Sequence, residues 1–164
     1  MERRLPTGLS PLDDLLGGGF RYGSVSLIYG EASTGKTTIA FTSLVRHLER
    51  DPWAKAYYID SDNKLSTRRL TQITKDPKAL ERLLIWRSMS FHEQGRTIES
   101  LSDLLHNGNI PIVVDSITGP YRLETGRSER TFRSNKELNR QLGFLSETAK
   151  IKDSAILVTG QVHS

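Results

Sequence analysis

The chain has 164 residues, of which 36% are hydrophobic and 26% are charged, as expected for one globular domain. It contains no cysteine, which excludes disulfides, thiolate zinc sites and a cysteine nucleophile, and its four histidines lack metal-ligand spacing. No apolar run is long enough for a membrane span or a secretory signal, so we expect a cytoplasmic protein without a membrane partner. The net charge of +4 permits nucleic-acid binding but does not argue for it.

Short predicted strands alternate with predicted helices along the chain. Ser10 and Pro11 are expected to open a first short helix, as its N-cap and first helical residue, and glycines 17–19 to end it. The β-rich segment Val25–Tyr29 precedes a glycine loop, and apolar residues then recur at helical spacing over Ile39–Leu48. This pattern predicts a strand, a loop and a helix in that order.

The same alternation continues to the end of the chain. Further strands are predicted at Ala54–Ile59, Leu83–Trp86, Ile110–Val114 and Ala155–Val158. Further helices are predicted after Ser66, from Ser90 to Leu105, and from a capping box at Ser134 and Glu137 through an apolar stripe of Leu138, Leu142, Leu145 and Ala149. Strands alternating with helices predict an α/β fold whose mostly parallel sheet is flanked by helices on both sides.

Residues 30–37 match the phosphate-binding pattern G-x-x-x-x-G-K-[ST] in full, and they lie between a predicted strand and a predicted helix. In such a loop, backbone N–H groups curl around phosphate oxygens and the following helix points its positive end at them. We expect Lys36 to reach the terminal phosphates and Thr37 to ligate magnesium. The predicted phosphate-binding residues are Gly30, Glu31, Ala32, Ser33, Thr34, Gly35, Lys36 and Thr37.

Acidic residues follow two other predicted strands. Asp115 ends the apolar run that begins at Ile110, where a P-loop protein needs a carboxylate for its hydrated metal; the alternative is an aspartate that caps a turn. Asp60 and Asp62 end another strand and are candidates to orient or deprotonate an attacking water. The alternative for this pair is that both merely terminate the strand.

Five stretches of the chain resemble the RecA/RadA recombinase family, and most closely its short archaeal paralogues. They are Thr7–Gly19, Ile28–Thr38, Tyr58–Leu70, Val113–Arg122 and Thr159–His163. The resemblance implies a P-loop NTPase with a RecA-type core that binds ATP and Mg2+, with Lys36 and Thr37 at the phosphates and Asp115 near the metal. KaiC-like ATPases share the opening segment and the P-loop, and they are the alternative family.

The resemblance also assigns roles outside the loop. It extends the nucleotide-binding residues to Thr38 and sets Arg69 against the adenine, although an ordinary surface arginine is the alternative. Gln161 matches a glutamine that senses the γ-phosphate and signals to DNA-binding loops. Asp62 stands where the family usually has glutamate, so slow turnover is expected because its side chain is one methylene shorter. Gly160 replaces an asparagine, which predicts a weak nucleotide switch. The expected catalytic residues are therefore Asp62, Lys36 and Gln161.

A basic segment after Tyr121 matches the first DNA-binding loop of the family. The resemblance implies weak, salt-sensitive binding of single-stranded DNA, because arginines there can neutralise phosphates. The alternative from charge alone is a solvated loop leading into a helix. The expected DNA-binding residues are Arg122, Arg127, Arg130 and Arg133.

The core of this family continues beyond the glutamine, so we expect residues 1–164 to form a C-terminally truncated RecA-like ATPase core with its P-loop strand at a sheet edge. We also expect no helix-hairpin-helix domain before Met1. The resemblance implies a weakly ATP-hydrolysing recombinase paralogue that assists homologous recombination and DNA repair. Its implied partners are the main recombinase, other repair proteins or further copies of itself. The functional alternatives are a KaiC-like signalling ATPase and an adaptor that binds ATP without hydrolysing it.

Overall fold

The computed structural model describes residues 2–106, 108–124 and 128–161. The strands are β1 Arg4–Leu5, β2 Phe20–Arg21, β3 Ser24–Gly30, β4 Ala56–Asp60, β5 Leu83–Arg87, β6 Ile112–Asp115 and β7 Ala155–Gln161. The helices are α1 Ser10–Leu15, α2 Lys36–Arg50, α3 Thr67–Ile73, α4 Pro77–Leu80, α5 Phe91–Leu104, α6 Thr118–Glu124 and α7 Ser128–Ile151. None of the helices in these ranges is long and apolar enough to cross a membrane.

Five strands form one parallel sheet in the order β3-β7-β6-β4-β5, and β1 and β2 pair antiparallel in a small separate ribbon. The sequence predicted the five sheet strands, with ends that differ by up to three residues. It missed the ribbon, the short helix α4 and helix α6, whose last residues were expected to belong to a DNA-binding loop. Because every strand of the main sheet runs the same way, all carboxyl ends meet at one edge. That edge is where ligands gather in open α/β sheets.

Side chains of the central strands alternate between two buried clusters. In β4, Tyr58 packs into the cluster beneath α2, whereas Ile59 packs into the cluster beneath α5 and α7. The four residues of β6 are all buried, as expected for a central strand of a sheet that is flanked by helices on both sides. The sheet core is therefore fixed by apolar alternation on strands that are covered from both sides.

The predicted start of the longest helix is wrong. Helix α7 begins at Ser128 rather than at a Ser134 cap, and Ser134 is buried inside it. Glu137 does not close a capping box there: its Oε1 accepts a hydrogen bond from Gln141 Nε2 at 3.2 Å, one turn further along. Leu145 and Ala149 are fully buried in the second cluster, so the predicted apolar stripe is confirmed.

The predicted cap of the first helix is shifted by one residue. Leu9 is the N-cap of α1, and Ser10 is already helical. Asp13 does not reach back to Ser10, because its Oδ1 accepts the backbone N–H of Thr7 at 2.6 Å. In contrast, Ser90 caps α5 as predicted, with its Oγ accepting the N–H of Glu93 at 3.1 Å.

Strand β3 lies at the edge of the sheet, as the sequence led us to expect, and pairs only with β7 among the described strands. Leu27 and Tyr29 on this strand are 59% and 68% exposed. The strand thus presents one unpaired backbone edge.

Candidate nucleotide-binding site

The loop that joins β3 to α2 curls around the first residues of the helix. Ser33 and Gly35 both have positive φ, at 62° and 89°, and Gly35 is the N-cap of α2. Glycine supports this conformation at the helix start without steric cost. Lys36 folds back over the loop, where its Nζ donates to the carbonyl of Glu31 and to Thr34 Oγ1, the latter at 3.3 Å. The loop therefore has the curled backbone and the adjacent ammonium group that phosphate binding requires.

Asp115, at the end of β6, is held by a hydroxyl on each side. Tyr58 of β4 donates to its Oδ2, and Thr159 of β7 donates to its Oδ1, so both neighbouring strands orient the carboxylate. Burial, followed by the charge of Asp115, raises the pKa of the Tyr58 phenol, which keeps that hydroxyl a donor. The carboxylate is thus held in position by the fold itself.

The two acids at the end of β4, Asp60 and Asp62, have different environments. Asp60 is buried, accepts the N–H groups of Lys64 and Leu65 at 3.1 Å each, and lies 3.8 Å from the Arg87 guanidinium. Burial raises the pKa of Asp60. Asp62 lines a cavity, with its Oδ2 3.4 Å from Lys64 Nζ. Asp60 therefore holds the turn, and Asp62 is the acid available to a ligand.

Gln161 lies beside the start of the loop. Its parallel-strand partner is Gly30, the last residue of β3, and its backbone N–H donates to Thr118 Oγ1 at 3.1 Å. Arg69 on α3 donates to Thr38 Oγ1 at 2.9 Å, so it lies over the first turn of α2. Each of these side chains comes from a different element of the carboxyl edge.

One cavity of about 200 Å³ brings the predicted residues together. Its lining includes Ala32, Ser33, Thr34, Gly35, Lys36, Thr37, Asp62, Arg69, Asp115 and Gln161. Gly30, Glu31 and Thr38 adjoin it through the contacts above. The Thr37 hydroxyl and the Asp115 carboxylate are hard oxygen donors of the kind that magnesium prefers.

Sequence reasoning missed several residues of this site. Tyr58 and Thr159 orient Asp115, Lys64 faces Asp62, and a Cβ added to Gly119 would overlap Asp62 Oδ1, so only glycine allows this approach. A hydroxyl within an otherwise apolar buried strand was the available signal for Tyr58 and Thr159. Without knowledge of the strand order, this signal does not indicate which residue each hydroxyl contacts.

The predicted DNA-binding residues are only partly described. Arg122 lies in α6 and Arg133 is exposed on α7. Arg127 and the side chain of Arg130 lie outside the described part of the chain. The two described arginines therefore flank the junction between α6 and α7.

A parallel sheet with a phosphate-binding loop after its edge strand, and with acids after β4 and β6, defines a P-loop NTPase fold with a RecA-type core. The sequence model of the Rad51 family matches residues 3–164. The chain therefore belongs to the Rad51 family, which confirms the predicted fold class and the predicted resemblance.

Curated relatives align along almost the whole chain. The "DNA repair and recombination protein RadB" of Methanococcoides burtonii is 34% identical over 166 residues, covering 100% of this chain and 72% of that protein. The proteins of the same name from Thermococcus onnurineus and Archaeoglobus fulgidus are 37% and 34% identical; the alignments cover 97% and 100% of this chain and 69% and 73% of the relatives. The chain is thus similar to archaeal proteins named for repair and recombination.

Proposed function

We propose that this chain is an ATP-binding, slowly hydrolysing recombinase paralogue that assists homologous recombination and DNA repair. The observation that carries the proposal is the single cavity in which Lys36, Thr37, Asp62, Asp115 and Gln161 meet. These are the groups that phosphoryl transfer needs, because its catalysis is almost entirely positioning and electrostatic stabilisation. The names of the curated relatives support the role in repair.

Lys36 and the loop backbone would hold the phosphates, and Thr37 with Asp115 would hold magnesium. When bound, magnesium neutralises charge on the phosphate oxygens. Asp62 is the group that would orient the attacking water. Its carboxylate rests against Gly119 and Lys64, and its side chain is one methylene shorter than glutamate, which supports slow turnover.

Helix α6 would carry the nucleotide signal towards a nucleic-acid surface. Its first residue, Thr118, accepts from the Gln161 N–H, and its second, Gly119, contacts Asp62. Arg122 lies on the same helix, one turn further on. A change at the γ-phosphate that moves Gln161 or Asp62 therefore acts directly on the segment expected to bind single-stranded DNA weakly.

Nucleotide binding is tested by titrating a fluorescent ATP analogue with magnesium into the wild type and Lys36→Ala. Removal of the ammonium should weaken affinity by about 2 kcal/mol, roughly thirtyfold, since the substitution takes away a charge-assisted hydrogen bond to phosphate. Lys75→Ala is the matched control, because Lys75 is exposed and lies outside the cavity. Unchanged affinity in Lys36→Ala would refute the proposed site.

Hydrolysis is tested by measuring phosphate release with and without oligothymidylate, for the wild type and Asp62→Glu. We expect a low rate that single-stranded DNA stimulates, and a higher rate in Asp62→Glu because the longer side chain reaches further. An unchanged rate in Asp62→Glu rejects the short-acid argument. Nucleotide binding without hydrolysis under any condition would identify an adaptor instead.

A further inference from the structure

A second cleft lies at the opposite end of the sheet from the nucleotide site. It is formed by residues 3–6, the last turn of α2, the turn 51–55 before β4, and residues 108–110 before β6, and its volume is about 470 Å³. These segments all adjoin the amino ends of the parallel strands, so we call it the amino-end cleft. A ligand there would not compete with one at the P-loop, which follows the carboxyl end of β3.

The turn in this cleft holds a tryptophan out of the fold. Trp53 is 89% exposed, the highest exposure of any large hydrophobic side chain described. Its backbone N–H donates to Asp51 Oδ1 at 2.8 Å. The guanidinium of Arg82, the residue before β5, donates to the carbonyls of Leu48, Asp51 and Ala54 at 2.6–3.0 Å. The turn is therefore rigidly held while its indole ring packs against no other aromatic ring in the described chain.

Four cationic residues and one acid, Asp51, line the same cleft as this indole. Arg50 and Lys55 flank Trp53 in the chain, line the same cleft, and form no ion pair with any described residue. Arg3 also lines the cleft, 4.2 Å above the centre of the Tyr22 ring and 3.8 Å from Asp153. The carbonyls of the turn already accept hydrogen bonds from Arg82, so they do not require Arg50 or Lys55 as donors. These two cations are therefore available to bind an external anion.

We propose that the amino-end cleft is a second site for single-stranded nucleic acid, with Trp53 stacking on a base and Arg50 and Lys55 contacting the flanking phosphates. A flat aromatic surface between cations is how sequence-tolerant single-strand sites are built. An acidic peptide would need further apolar anchors, whereas Trp53 is the only exposed apolar side chain among the residues that line this cleft. The inference goes beyond the proposed function, because it requires neither nucleotide nor the arginines of α6 and α7.

Fluorescence of Trp53 tests stacking directly. The chain has two tryptophans, and Trp86→Phe leaves Trp53 as the only one while keeping an aromatic ring beside Tyr57. Titration of this variant with oligothymidylate should quench the fluorescence to saturation. In a background that retains Trp86, Trp53→Ala should weaken binding of labelled oligothymidylate, measured by anisotropy, by roughly fivefold or more.

The contribution of the cations is tested through salt dependence. Arg50→Ala combined with Lys55→Ala should reduce the slope of log affinity against log salt by roughly 0.7 for each phosphate that is no longer neutralised. Arg68→Ala combined with Lys75→Ala is the matched control, because it removes the same two residue types from exposed positions outside the cleft. The control should leave the slope unchanged.

Three results would overturn the inference. The first is oligothymidylate binding that leaves Trp53 unquenched and disappears in Arg122→Ala combined with Arg133→Ala, which would keep the proposed function and remove only this site. The second is quenching of Trp53 by polyglutamate but not by oligothymidylate, which would identify an acidic peptide as the ligand. The third is equal affinity of wild type and Trp53→Ala for the labelled strand.

Discussion

Replacement of Tyr58 by phenylalanine removes one hydroxyl from the buried centre of the proposed nucleotide site. The ring remains, with its edge-to-face contact to Phe41 at 5.6 Å, so packing should change little. The substitution takes away the hydrogen bond to Asp115 Oδ2. A hydrogen bond to a charged group contributes about 1.5–3 kcal/mol, so we expect the free energy of unfolding to fall by about 2 kcal/mol.

The hydrogen bond from Tyr58 is expected to be strong because Asp115 is charged. A second substitution, at Asp115, tests how much that charge contributes. In an Asp115→Asn background, the Tyr58 hydroxyl faces a neutral amide, and neutral bonds are roughly half as strong. Tyr58→Phe should then cost about 1 kcal/mol, which gives a coupling free energy of about 1 kcal/mol between the two positions. Thr159 donates to the other oxygen in every variant that keeps Asp115.

Urea denaturation of the wild type, the two single variants and the double variant, followed by circular dichroism, measures these free energies from the midpoint at constant slope. Tyr57→Phe is the control, because the Tyr57 hydroxyl makes no hydrogen bond among the described residues and its ring also packs in an aromatic pair. The reasoning is refuted if Tyr58→Phe costs less than about 0.5 kcal/mol, or if it costs the same with and without the Asp115 carboxylate.

Three other predictions concern separate parts of the molecule. Gly119→Ala should lower the ATP hydrolysis rate with little change in nucleotide affinity, because the new Cβ displaces the Asp62 carboxylate; equal rates would contradict the contact. Leu145→Ala should lower the free energy of unfolding by about 2–5 kcal/mol in urea, since Leu145 is fully buried, whereas Leu15→Ala at an exposed position should stay within about 0.5 kcal/mol. Burial lowers the pKa of His47, so the unfolded chain binds the proton more tightly and stability should fall as pH drops below 6.5; His47→Gln should show a smaller fall over the same pH range.

Much of the site is predictable from the sequence because its parts are local or share one edge. The loop at residues 30–37 is a contiguous motif, and it needs only a strand before it and a helix after it. Asp62, Asp115 and Gln161 each lie at or just after the end of a strand. In a parallel sheet the carboxyl ends of all strands lie at the same edge, whatever the strand order. The direction of the strands alone therefore predicts that these three residues lie near one another.

Contacts that depend on strand order could not be predicted in the same way. Tyr58 and Thr159 bind Asp115 because β4 and β7 lie on either side of β6, which no local pattern reveals. The predicted start of α7 is wrong for a related reason. Ser134 and Glu137 have the spacing of a capping box, but the helix already includes both residues. Glu137 accepts a hydrogen bond from Gln141 instead.

The two acids at the end of β4 show that residues with the same position relative to a strand can have different roles in the structure. Asp60 and Asp62 are two residues apart, and each could serve as a catalytic acid by spacing alone. Asp60 accepts two backbone N–H groups of the following turn, so its carboxylate is committed to the fold. Asp62 makes no backbone hydrogen bond in the described chain, and its freedom is limited only by Lys64 and Gly119.

Helix α6 joins the proposed nucleotide site to the arginine segment, and the interactions at its start limit how strongly the two can be coupled. One hydrogen bond links Thr118 to Gln161, and one close approach links Gly119 to Asp62. A buried bond between Gln94 and the Ile117 carbonyl, at 3.3 Å, ties the segment before α6 to α5 as well. Coupling free energies between two ligand sites are typically about 1–3 kcal/mol. ATP should therefore change the affinity for single-stranded DNA by roughly five- to hundredfold rather than act as an all-or-none switch.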